Sequence, residues 1–109
     1  MIREKVYLGR DGLIDWLATA GKPPYPFDLE AWGVSRVVLA LNETIAIDSQ
    51  GHENDVVWNG ARLQIINPGQ LLPQDMPPDI YTCALVLYTP DKPSGYVWAD
   101  TIQIDVRKA

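Results

Sequence analysis

The single histidine, His52, lies in the segment Ser49-Gln50-Gly51-His52-Glu53-Asn54-Asp55, which sets an imidazole beside two carboxylates. A general base needs a nucleophile within reach and a group that orients it. Glu53 and Asp55 are near in sequence, but no nucleophile motif accompanies them, so a solvated loop accounts for the residues more simply. Asp48, Glu53, Asn54 and Asp55 offer hard oxygen ligands of the kind calcium takes. The Asp-x-Asp-x-Asp-Gly spacing is missing, and a polar turn between two strands explains the same residues. Cys83 is the only cysteine. With one histidine it cannot complete a structural zinc site, and it cannot form an intrachain disulfide. Glycine-rich nucleotide loops and the Gly-x-Ser-x-Gly nucleophile turn are absent. The expectation is a chain with no catalytic residue, no metal and no cofactor.

Aromatic side chains carry more weight. Trp16, Trp32, Trp58 and Trp98 are many for a chain of 109 residues. A sugar-binding surface uses such rings as stacking platforms, and a protein interface uses them as anchors, since tryptophan and tyrosine dominate binding hot spots. Bulk for a core is the third use. Trp98 follows the alternation of a core strand and is assigned inward. Trp58 sits beside a turn and fits either side. Trp32, in Glu30-Ala31-Trp32-Gly33, follows no alternation and is read as an exposed or interface ring.

These residues must be held by short strands. Prolines and glycines punctuate short apolar runs at fairly regular intervals, the mark of an all-β sandwich or barrel. Ile80 to Thr89 places Tyr81, Cys83, Leu85 and Leu87 on one face and Thr82, Ala84, Val86 and Tyr88 on the other. After the loop Pro90 to Gly95, Tyr96 to Val106 places Trp98, Ile102, Ile104 and Val106 on one face, with a bulge expected at Asp100. The two runs are expected to pair antiparallel. Val37, Leu39 and Leu41 lead through Asn42-Glu43 to Ile45 and Ile47, a second hairpin. Val56 to Trp58, Asn59-Gly60 and Ala61 to Ile66 form a third, because both residues of Asn-Gly tolerate positive φ. Lys5 to Gly9 and Leu13 to Ala18 read as strands around Arg10-Asp11-Gly12, with one helical turn at Leu13–Leu17 as the rival reading. The proline-rich stretches Gly21–Pro26 and Pro68–Pro78 are expected as surface connections, since proline lacks a ladder donor. The expected core joins Val37, Leu39, Leu63, Leu85, Leu87, Trp98, Ile102 and Ile104. On that reading Trp98→Ala costs about 3–5 kcal/mol, the range for a buried large aromatic.

The composition, 47% hydrophobic, suits one folded domain, and a chain of this length buries roughly 65% of its unfolded surface. A net charge of -5 argues against a nucleic-acid backbone or an anionic membrane as partner. No apolar run reaches the length of a membrane span or follows the charged N-terminus as a signal would.

Several stretches resemble a loose family of short proteins from tailed-phage and prophage genomes. They are Leu8-Gly9-Arg10-Asp11, Phe27-Asp28-Leu29 before Gly33-Val34-Ser35-Arg36-Val37, Ile80-Tyr81, and Tyr88-Thr89-Pro90-Asp91-Lys92-Pro93 before Gly95-Tyr96-Val97-Trp98. They span about Tyr7 to Val106; Pro23–Pro26 and Glu30–Gly33 depart from the shortest versions. The pattern is similar to immunoglobulin-like adaptor domains of phage baseplate and tail proteins. Tyr81, two residues before Cys83, has the spacing of the tyrosine corner in such domains. The resemblance implies an all-β, antiparallel immunoglobulin-like β-sandwich in a single domain. It implies a non-enzymatic virion structural protein, either a tail or baseplate adaptor or a capsid decoration protein. Such a protein is made in the bacterial host cytoplasm and partners other virion proteins or itself. A carbohydrate-binding module is the alternative, carried by the aromatics alone. The expected interface residues are Tyr7, Leu8, Trp32 and Trp58. The strand Lys5-Val6-Tyr7-Leu8 either adds to a neighbour's sheet or pairs within its own domain.

Overall fold

Period-two alternation becomes strand wherever a turn signal closes it. The structure, a computed structural model, describes residues 3–108. Its strands are β1 (Arg3–Leu8), β2 (Leu13–Leu17), β3 (Thr19–Ala20), β4 (Tyr25–Pro26), β5 (Arg36–Ala40), β6 (Ala46–Asp48), β7 (Val56–Asn59), β8 (Arg62–Ile66), β9 (Asp79–Thr89) and β10 (Lys92–Lys108). One helical turn, α1 (Pro68–Leu71), interrupts them. The fold is mostly β. A five-stranded sheet runs β1-β10-β9-β5-β6, a three-stranded sheet runs β2-β8-β7, and β3 pairs with β4.

The three expected hairpins form. Val37 and Leu39 of β5 lie opposite Leu87 and Leu85 of β9, and Leu39 opposite Ile47 of β6. Asn42 closes the β5–β6 turn, its side-chain carbonyl accepting from the Thr44 and Ile45 amides. Gly60 takes φ 58° between β7 and β8. The β9–β10 connection is tighter than expected: the turn falls on Pro90-Asp91, and β10 starts at Lys92. Register shifts fall between Lys92 and Tyr96, between Val97 and Ala99, which leaves Trp98 as the extra residue, and between Ala99 and Ile102, which include Asp100.

The inward rows of the two larger sheets share one core. Val37, Leu39, Leu63, Leu85, Leu87, Ile102 and Ile104 are all buried in it. Trp98 corrects the expectation. The bulges turn it toward the seam between the sheets, where it is half-buried and packs against the core from the side. Leu29 and Val34, from the loop between β4 and β5, are buried as well, because the Leu29 amide bonds to the Gly60 carbonyl and the Val34 amide to the Leu29 carbonyl.

The N-terminal strands depart further from the sequence reading. Leu13–Leu17 is the expected strand and not the rival helical turn, but it does not pair with β1. It pairs antiparallel with β8, while β1 runs parallel to β10, so the larger sheet is mixed and not wholly antiparallel. The linker between β1 and β2 is tied to the α1 corner instead. The Gly9 amide bonds to the Gly69 carbonyl, and the Gly12 amide bonds to the Asn67 side chain at 3.0 Å. Trp16 Nε1 donates to Glu4 Oε1 at 2.9 Å, which joins β2 to β1 across the two sheets. Residues Pro68 to Pro78 connect β8 of the smaller sheet to β9 of the larger one. They are more than a surface connection, since Pro68, Gly69, Leu72 and Met76 are buried.

Candidate functional site

An antiparallel sheet with one wet face alternates apolar inward and polar outward. β9 breaks that rule. Cys83, Leu85 and Leu87 face the core, and the residues between them, Ala84, Val86 and Tyr88, face outward and are only half-buried. Register extends this outer apolarity across the sheet. Val86 lies opposite Val38 of β5 on one side and Val97 of β10 on the other; Ala84 lies opposite Ala40, which faces Ala46 of β6. Val97 is 54% exposed. Gly95 keeps the patch flat: a Cβ there would stand 2.6 Å from Val86 Cγ1 and 2.9 Å from the Tyr88 ring, and its φ of +85° suits glycine.

Charge borders the patch. Arg36 donates Nε to Asp48 Oδ1 at 3.0 Å and pairs its Nη2 with Oδ2, while its guanidinium lies 4.8 Å from the Tyr88 ring centroid. The Arg36 hydrogen bonds hold the Asp48 carboxyl below its ordinary range, helped by the Gln50 amide, and Asp48 in turn raises Arg36. Away from the patch, where β10 pairs with β1 and with Ile80, Asp105 accepts from Arg107 at 2.9 Å, with Arg3 at 3.9 Å, and these cations lower its pKa.

A second cluster sits at the seam. Phe27 packs on Trp98 with ring centroids 4.6 Å apart and meets Trp32 edge-on at 5.5 Å; Tyr96 meets Trp32 at 5.8 Å. Lys92 Nζ lies 5.8 Å from the Trp32 centroid.

The expected interface residues scatter. Tyr7 is 41% exposed and stands outward on β1, opposite Arg107. Leu8 is buried, because β1 alternates and pairs within its own domain; it is a core residue and not an interface one. Trp32 is half-buried in the aromatic cluster, so of its reading as an exposed or interface ring the fully exposed form is corrected. Trp58 is half-buried in a separate shallow pocket of about 290 Å³ with Gln50 and Glu53. Sequence reasoning passed over Val38, Val86 and Val97, although the two-sided apolarity of Ala84 to Tyr88 was readable.

The polar loop resolves into turn contacts. Glu53 accepts from the Gly51 amide, His52 Nδ1 faces Asp55 at 3.8 Å, and Asp48 is engaged by Arg36. Among the described residues no three His, Cys, Asp or Glu side chains converge to hold a metal. Cys83 is buried, and burial pushes its thiol up to about 11, so at neutral pH it is an inert thiol. Tyr81 Oη donates to the Pro77 carbonyl at 2.6 Å and pins the start of β9. Comparison with protein-family models, curated proteins and solved structures finds no match to the chain.

Proposed function

We propose that this chain is a non-enzymatic structural domain of a tailed-phage virion, docking other virion proteins or its own copies through the outer face of β5, β9 and β10. The observation that carries the docking is the row Val38–Val86–Val97, flanked by Ala40–Ala84 and Tyr88, on the water-facing side of the larger sheet. An apolar patch edged by charge is the anatomy of a protein interface, with Arg36–Asp48 at its edge here. The resemblance of the strand-and-turn segments to phage adaptor domains supplies the virion setting.

We read the architecture as immunoglobulin-like. In that arrangement the second, fourth and fifth strands form one sheet and the third, sixth and seventh the other. β2-β8-β7 and β10-β9-β5-β6 follow this order, with β1 moved beside β10. The Tyr81 hydroxyl bond to upstream backbone suits the tyrosine corner.

Val86→Glu tests the docking face. The variant is expected to keep its denaturant midpoint, because Val86 lies outside the core, and to lose association with virion components and with itself. Native mass spectrometry and co-assembly with tail or head proteins measure this. Unchanged association in both assays would remove the face from consideration. A carbohydrate-binding reading has one observation of its own, the Trp58 pocket with Gln50 and Glu53. Saturable quenching by an oligosaccharide that Trp58→Ala abolishes would favour it.

A further inference from the structure

Between the sheets the core side chains leave a space open. It lies where Trp16 and Leu63 face Leu85, Leu87 and Ile102, and it measures about 220 Å³. Its wall reaches the seam between β2 and β10 at Leu17, Thr19 and Ala99. Leu17 is 58% exposed there. β1 pairs with β10 from Gln103 to Lys108, and the cavity runs along Trp98 to Ile102, before that ladder begins.

Two separate features make the space. The register shifts between Val97 and Ala99 and between Ala99 and Ile102 fall on its wall, and a bulge bends its strand away from the partner. Ala99, opposite Leu85 in the ladder, then sets a single methyl where a larger side chain would close the gap. The lining carries no charged side chain; its polar side-chain groups are the Thr19 hydroxyl and the indole N–H groups of Trp16 and Trp98, the first of which is bonded to Glu4. Water gains little in such a place: an apolar cavity of about 150 Å³ in another protein stays dry and accepts benzene or xenon. Left empty, the walls forgo the dispersion contacts that a close-packed interior makes.

We propose that this cavity is a binding site for a small uncharged molecule the size of one substituted aromatic ring. The ligand enters between Leu17 and Ala99 and lies against the indoles of Trp16 and Trp98, where ring faces and edges add to dispersion. Phe27, packed at a tilt against Trp98, holds that wall in place.

Toluene is the probe. Titrated into the full chain, it is expected to change tryptophan fluorescence saturably and to show nuclear Overhauser contacts to the Leu85 and Leu87 methyls. Ala99→Leu fills the space and is expected to weaken binding by at least about tenfold. Ala18→Val narrows the wall by a second route, should the bulged strand reject leucine. Thr82→Ala, on the outward face of β9, should leave the affinity unchanged. Contacts confined to Val38 and Val86, the absence of saturation, or undiminished binding in either folded cavity variant would overturn the proposal. If neither variant folds, the contacts in the unaltered chain decide the matter.

Discussion

Asp48 and Asp105 carry the clearest electrostatic consequence. Each is hydrogen-bonded by an arginine, and each has its pKa lowered from the ordinary 3.8. A carboxyl whose folded pKa is depressed stabilises the fold fully above its unfolded pKa. That contribution is lost as pH falls through the lower, folded value. Urea melts at about pH 6 and about pH 2.5 should therefore show a loss that Asp105→Asn reduces. A pH dependence that the variant leaves unchanged would mean that other carboxyls dominate. Trp98 illustrates a different residue-scale point. Its alternation assigned it to the core, but the register shift at its position gives it a half-buried place beside Phe27. Trp98→Ala is accordingly expected to cost about 2 kcal/mol, below the range for a fully buried ring. Denaturant melts measure the difference.

Among the elements, α1 shows how a single hydrogen atom can set a contact. Gly69 lies against β1, and a Cβ there would overlap the Tyr7 carbonyl oxygen. Gly12, by contrast, has open space around its Cβ position. Gly69→Ala is expected to cost about 3 kcal/mol, at the upper end for forcing atoms into a filled site, while Gly12→Ala stays within about 0.5 kcal/mol. Equal midpoints for the two variants would show that α1 yields to β1. The hairpins were legible because both partners and their turn lie within a few residues: Asn59-Gly60 and the runs beside it needed no distant information. β1 was legible as a strand but not in its placement. Its partner begins at Gln103, and parallel pairing across the length of the chain leaves no turn between the partners to announce it. The same distance hid the seam cluster, in which Phe27 and Trp32 meet residues 96 and 98. The outer patch was visible as apolar letters in β9, but only the register with Val38 and Val97 shows that those letters join into a surface.

For the molecule as a whole, a net charge of -5 disfavours indiscriminate self-association. The parallel pairing of β1 with β10 has a further, mechanical meaning. Arg3 begins β1 opposite Gln103, and Lys108 ends β10 opposite Leu8. Tension applied at residues 3 and 108 therefore drags the two strands past each other along their lengths. The ladder spans six register pairs, and its hydrogen bonds are loaded together, as in a lap joint, instead of opening one after another like a zipper. Val6 and Leu8, seated in the core, add friction to the slide. Single-molecule extension from the two ends should show one abrupt, high-force rupture. Moving the first attachment to Asp11 leaves β1 slack and should lower that force markedly; equal forces would place the clamp elsewhere. A domain built this way resists tension applied at residues 3 and 108 through the whole ladder at once.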